Sequence, residues 1–499
     1  MTSPGAPARV EAVLARLRGR RIHVLGPSGT EGSSVIDFLV RHGITTVTAH
    51  DLDPADRFAD TVARTHRWLD ADGRAILIQR LRAAPIVWRQ GAEYLHGLDA
   101  AEAIFVPQSW RRHPQNAPVH EAVRRGVRLS SMTQLFFEVC PGPILGVTGT
   151  NGKFTVVTLI TAMLQAAGIP VVTSGNDRTH VPALAALDRL TPQTWLVLEI
   201  SNRQLAGLPY SPHVAVVTNI APHHLDDHGS MEAYTDAKRT IVRYQSSRDH
   251  AVLNADDFRV AQFAEGAASR VHWFSRQRPV PLGAFVDGAK IVIAGPAPEA
   301  VLPVSEIGLP GAHMVENALA ATAAAAIAGA DRTPIANVLR AFRGLPYRFR
   351  LVRERDGITF YEDSLGTNPT SAAAAIAGMV RPFHLVAGGV RKSARAEDFV
   401  PMVKALGASP VKGVYLIGST AALLSEVFAD LPGHPRVVQA GTLEAAMAQA
   451  WVAAEPGDAI LLSPGCESFD QFADYRARGD RFCALAEELP ARAGKRTRV

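Results

Sequence analysis

Three cysteines in 499 residues, Cys140, Cys466 and Cys483, are too few and too scattered for a disulfide framework or a thiolate zinc site. They point to a reducing, cytoplasmic setting. No apolar run approaches the roughly 20 residues that cross a bilayer, and the opening segment lacks the apolar stretch of an export signal, so neither membrane insertion nor export is expected. Clustered basic residues, zinc-finger spacings and RNA-recognition sequences are also missing, which argues against a nucleic-acid partner. Lysine itself is scarce. Of 52 basic residues only seven are lysine, at 153, 238, 290, 392, 404, 412 and 495, and none precedes 153. A chain that writes positive charge as arginine keeps lysine where an amine is needed that a guanidinium cannot replace. Lys153, Lys238 and Lys392 are the ones of interest.

What is present is the composition of a globular protein, 47% hydrophobic and 20% charged, long enough for about three domains. The alternation of apolar strands with helix-like sequence predicts an α/β chain. A Rossmann-like domain is expected over 1–140, a central phosphate-loop ATPase-type domain with a mostly parallel sheet over 141–343, and a doubly wound α/β domain over 344–499. The first contains RIHVLGPSGTEGSSVIDFLV followed by TTVTAHDLD, read as strand, glycine turn, helix and strand. Its glycines, Gly26, Gly29 and Gly32, do not have dinucleotide spacing and equally suit close packing of a helix on a strand. Asp51, at the end of the second strand, is placed to hydrogen-bond a ribose or a base.

After the break CPGP, the run LGVTGTNGKFTVVTLI takes an apolar strand through Gly149, Thr150, Asn151, Gly152 and Lys153 into a helix. Glycines let backbone N–H groups wrap a phosphate, the helix start adds partial positive charge, and a lysine reaches the terminal phosphates. A glycine turn without a ligand is the alternative. The common G-x-x-x-x-G-K-[ST] pattern fails twice, at Val147 and at Phe154, where a metal-binding hydroxyl normally follows the lysine. Thr155 carries a hydroxyl one position later, rotated by about 100° on a helix.

Taken together the blocks resemble the Mur ligase family, ATP-dependent amide ligases of peptidoglycan precursor synthesis. TGTNGKFT resembles the family's phosphate loop, LEISNRQL its LELSSFQL, and NIAPHHLD followed by DAK its N-x-x-x-D-H-x-D stretch with a downstream lysine. LPGAHMVENALAA, LPYRFR (family LPHRFE), EDSLGTN (family NDSKATN) and SPGCESFDQFADYRARGDRF follow in the family's order.

The resemblance implies a role for each matching position. Lys153 would hold the β- and γ-phosphates; Glu199 and His224 would ligate two Mg²⁺ ions, with Lys238 carbamylated as a third ligand. Asn317, Arg348 and Asp363 would contact adenosine and phosphate, and Asn176 and Ser201 the nucleotide sugar. Thr367, Lys392, Ser468, Phe469 and Tyr475 would hold the incoming glutamate. The implied reaction joins glutamate to UDP-N-acetylmuramoyl-L-alanine through an acyl phosphate, by a cytoplasmic enzyme acting as a monomer. Leu365, Met314, His223, Tyr347 and Arg350 depart from the family's letters. Two other readings therefore stay open: a relative that joins another amino acid, such as L-glutamate, to another carboxylate, and a nucleotide-binding pseudo-ligase.

Overall fold

Apolar runs and glycine turns become three sheets in a computed structural model that describes residues 6–175, 181–221, 229–391 and 393–490. The chain divides into two compact units, residues 1–304 with 316–338, and residues 305–315 with 339–499.

The first unit carries two sheets. Strands β1 (Ile22–Leu25), β2 (Val47–Asp51), β3 (Val87–Gln90), β4 (Ala103–Phe105) and β5 (Arg128–Ser130) form a parallel sheet in the order β3-β2-β1-β4-β5. That is the Rossmann strand order without its sixth strand. The turn after β1 needs Gly26, at φ +68°, and a Cβ on Gly32 would lie 2.3 Å from the Gly26 carbonyl oxygen. These glycines therefore let the helix Thr30–Arg41 seat directly against the strand end.

The second sheet comprises β6 (Ile144–Thr148), β7 (Val171–Ser174), β8 (Trp195–Glu199), β9 (Val214–Val217), β10 (His250–Asn254), β11 (Arg270–Ser275), β12 (Gly283–Asp287), β13 (Lys290–Ala294) and β14 (Glu299–Pro303). Its order is β14-β13-β12-β11-β10-β9-β6-β8-β7, parallel except for the antiparallel β12-β13-β14 edge. All five residues of β6 are buried, as expected of a parallel strand covered on both faces. β6 has β8 on one side and β9 on the other, so the chain leaves it toward one half of the sheet and later returns to the other. Such a switch point opens a crevice at the carboxyl end of the strand, where α/β proteins bind ligands. One continuous core, including Phe136, Ile144, Leu198, Leu205, Tyr234 and Ile241, runs beneath both sheets of this unit.

In the second unit, β15 (Arg350–Arg355), β16 (Ile358–Glu362), β17 (Phe383–Gly388), β18 (Val411–Ile417), β19 (Arg436–Gly441) and β20 (Ala459–Leu462) are ordered β15-β16-β20-β17-β18-β19. Only β15 is antiparallel to its neighbour. Phe360, Tyr415, Leu462 and Phe482 belong to its core. Among the described residues no helix is long and apolar enough to cross a membrane.

Candidate active site

At the carboxyl end of β6 the chain turns through Gly149 (φ +147°) and Gly152 (φ +82°) before the helix Lys153–Ala166 begins. A side chain is excluded at both glycines. A Cβ on Gly149 would lie 1.9 Å from Thr218 Oγ1, and one on Gly152 would lie 2.2 Å from Asn317 Oδ1. Asn317, 8% exposed on the helix Ala312–Ile327, is thereby packed directly against the loop. The loop is also tied down by hydrogen bonds. Thr150 N–H donates to the Asn219 carbonyl (2.8 Å), Asn151 N–H to Asn219 Oδ1 (2.9 Å), and Thr218 Oγ1 to the Asn151 carbonyl (2.6 Å). The helix carries no side-chain cap at its start, which leaves its first N–H groups directed at the loop.

Two amines meet on this loop. Lys153 Nζ donates to the carbonyls of Gly149 (3.2 Å) and Thr150 (3.0 Å), and Lys238 Nζ donates to the same Gly149 carbonyl at 2.8 Å. Lys238 projects from the helix Met231–Arg243 and is only 1% exposed, with its ammonium 5.0 Å from the Tyr234 ring. Burial, and then the positive charge of Lys153, push its pKa well below the usual lysine range, outweighing the opposing effect of Glu199. Burial of this kind favours the uncharged form of an amine. Glu199 ends β8 directly beside Val147 of β6, which accounts for its influence. No group of three or more His, Cys, Asp or Glu suited to a metal occurs among the described residues. Among the described residues, the Glu199 carboxylate is an oxygen donor at the strand end beside the loop. Phe154 and Thr155 occupy the first turn of the helix, as the sequence predicts.

Ser201 caps the short helix Asn202–Leu205 in a capping box with Gln204, and its hydroxyl donates to Gln108 Oε1 (2.8 Å). Asp51 turns inward. Its carboxylate accepts from the N–H groups of Ser28 (2.9 Å) and Asp53 (3.2 Å), so it braces the first glycine turn as well as lying at the strand end. Asn176, His224 and Lys392, with His223, lie outside the described residues.

In the second unit Asp363 follows β16, buried, accepting from Ser463 Oγ (2.7 Å) and from Phe349 N–H (3.1 Å). Burial pushes its carboxyl up to about 7. Arg348 is exposed nearby and acts in the opposite direction on that carboxyl. Thr367 is partly exposed, Tyr475 begins the helix Tyr475–Glu488, and Phe469 is 66% exposed. Ser468 is 2% exposed and its hydroxyl has no hydrogen-bond partner among the described residues. Sequence reasoning passes over Arg478, which is wholly buried. Its Nε and Nη2 donate to the Ser364 hydroxyl (2.9 Å), the Ser364 carbonyl (3.0 Å) and the Cys466 carbonyl (3.1 Å), while Nη1 has no partner among the described residues. It lies within the RARGDRF block, so a signal exists in the sequence; what the letters do not convey is that this arginine ties the Ser364 and Cys466 loops together.

Comparisons agree with this arrangement. Residues 147–325 match the Mur ligase middle domain and residues 347–466 match the Mur ligase glutamate ligase domain. The chain is 37% identical over 465 residues to a UDP-N-acetylmuramoylalanine--D-glutamate ligase of Symbiobacterium thermophilum, covering 92% of this chain and 96% of that one. It is also 37% identical over 473 residues to the enzyme of the same name from Acidobacterium capsulatum, covering 93% and 96%. The crystal structure of UDP-N-acetylmuramate-alanine ligase MurC from Thermotoga maritima aligns with a TM-score of 0.54 at 16% identity, over 94% of this chain and 99% of that one, a likeness of fold.

Proposed function

The chain belongs to the Mur ligase family, and from that premise we propose that it joins D-glutamate to UDP-N-acetylmuramoyl-L-alanine at the expense of ATP, in the synthesis of peptidoglycan precursors. The observation that carries this reading is the glycine loop with two amines on one carbonyl, backed by near-full-length relatives of that name. The three sheets are read as three working domains, over 1–140, 141–343 and 344–499.

The loop Gly149–Lys153 receives the phosphates of ATP: the helix start faces the anion, and Lys153 exchanges the carbonyls it now binds for phosphate oxygens. Asn317, Arg348 and Asp363 are assigned to the nucleotide, and Thr155 to the phosphate side of the loop. Asp51, Asn176 and Ser201 are assigned to the nucleotide sugar, and Thr367, Lys392, Ser468, Phe469 and Tyr475 to glutamate. The substrate carboxylate attacks the γ-phosphorus, ADP departs, and the amine of glutamate displaces phosphate from the acyl carbon. Phosphoryl transfer of this kind depends on positioning and charge stabilisation.

Glu199, His224 and Lys238 are the residues that would hold Mg²⁺. The fit rests on Lys238: a neutral amine takes up carbon dioxide to become a carbamate, an oxygen donor that a hard cation accepts. Mg²⁺ bound there offsets the negative charge that builds up during transfer. The protein is expected to work in the cytoplasm as a monomer.

The test is ADP release by purified protein given ATP, Mg²⁺ and UDP-N-acetylmuramoyl-L-alanine. Release that requires D-glutamate is expected. Release with L-glutamate or another pair, or none at all, would refute this assignment in favour of a divergent ligase or a pseudo-ligase respectively.

A further inference from the structure

The segment before β15 holds Arg348 between two residues in the left-handed region, Tyr347 at φ +64° and Phe349 at φ +45°. Neither is glycine, so the turn is strained and has to be held by its surroundings. Two adjacent acids hold it. Glu362 Oε2 accepts from Tyr347 N–H (2.9 Å) while Oε1 accepts from Ser364 N–H (2.8 Å), and Asp363 accepts from Phe349 N–H. The Tyr347 carbonyl accepts from Leu365 N–H at 2.8 Å, closing the turn onto the same strand end.

Glu362 is 0% exposed, and burial raises its pKa. Arg350 stands 3.7 Å away as its counter-charge, and Asp480, which accepts from the Tyr347 hydroxyl at 2.9 Å, opposes it. The helix Tyr475–Glu488 seals the cluster. A Cβ on Gly479 would lie 2.6 Å from the Tyr347 ring and 2.7 Å from Glu362 Oε1. Arg350 and Glu362 stand where the family blocks quoted above carry a glutamate and an asparagine, so two departures in separate blocks prove to be partners in one cluster.

We infer that Glu362 is a positioning residue, one carboxylate oxygen holding the strained turn at Tyr347 N–H and the other anchored on Ser364 N–H, and that it so presents Arg348 to the nucleotide. The inference rests on the reading of Arg348 as a nucleotide contact. A glutamine in its place offers one acceptor oxygen and turns an NH₂ group on the second backbone N–H.

The experiment measures ADP affinity by calorimetry, the KM for ATP and the thermal midpoint, on the full chain and its variants. Arg348→Ala is expected to weaken ADP at least tenfold with the midpoint unchanged. Glu362→Gln is expected to weaken ADP and raise the KM for ATP about fivefold to tenfold, with the KM for glutamate little changed. Adding Tyr347→Gly, which adopts φ +64° without strain, is expected to recover at least threefold of that loss. ADP affinity of Glu362→Gln within twofold of the parent, with Arg348→Ala weakened, would overturn the inference and leave the reading of Arg348 intact. Normal ADP binding by Arg348→Ala would overturn both. Should Glu362→Gln fail to fold, Glu362→Asp keeps both acceptors but draws them back by one methylene: weaker ADP binding is expected, and unchanged affinity overturns the inference.

Discussion

At the scale of the residue, the burial of Lys238 works against stability. An amine 1% exposed beside another cation has its pKa lowered well below its unfolded value, so between the two the unfolded state binds more proton and the protein gains stability as pH rises toward the ordinary lysine value. Lys238→Met should therefore raise the stability of the unliganded protein by about 1–3 kcal/mol at pH 7 in metal-free, carbon dioxide-free buffer, flatten that pH dependence, and abolish ligation. Denaturant titration and ADP release read the two effects. Asp363 has the opposite sign of shift. Its folded carboxyl, at about 7, keeps a proton that the unfolded chain loses near 3.8, so it costs stability progressively as pH climbs between those values and fully above them. Asp363→Asn is accordingly expected to be more favourable at pH 8 than at pH 4, by on the order of 3–4 kcal/mol, in thermal melts at the two pH values. An equal effect at both would show that the carboxyl is ionised throughout. The scarcity of lysine, together with the glycine loop and the family blocks, draws attention to Lys153, Lys238 and Lys392. Burial of Glu362 and Arg478 leaves no comparable mark, since an acid or an arginine in a sequence does not announce that it is enclosed.

At the scale of the element, the phosphate loop works because two glycines allow contacts that any side chain would block. Gly152→Ala forces a Cβ against Asn317 and a left-handed backbone on an alanine. It is expected to destabilise the protein by about 1–3 kcal/mol and to weaken ADP by at least tenfold, measured by thermal melt and calorimetry. Strand, turn and helix at this site are legible from the apolar run, the glycines and the lysine. So is the alternation that builds the other two sheets. The partners of the loop are not. Asn219 and Thr218 reach it from the end of β9, about 70 residues away in sequence, and only the sheet order brings them beside Gly149. Asp51 reads as a ligand group in the sequence, yet its bonds to Ser28 and Asp53 show that it also secures the turn after β1, a local role that an acid at a strand end does not reveal.

At the scale of the whole molecule, each unit contains its own sheet or sheets and core, and blocks that resemble the family, TGTNGKFT and LEISNRQL in one and EDSLGTN in the other, fall at strand ends. Order and spacing of those blocks make the family recognisable where no single one would. They do not reveal that Arg350 and Glu362 compensate each other, because a charge pair between two strands is visible only once the strands are paired. The chemistry proposed for the assembled chain has a direct signature. If the substrate carboxylate attacks the γ-phosphorus, one of its oxygens must leave in the phosphate. With UDP-N-acetylmuramoyl-L-alanine labelled with ¹⁸O in the alanine carboxylate, together with ATP, Mg²⁺ and D-glutamate, mass spectrometry should find one ¹⁸O in each phosphate released. Unlabelled phosphate would mean that water, not the carboxylate, takes the phosphoryl group, and would contradict the account.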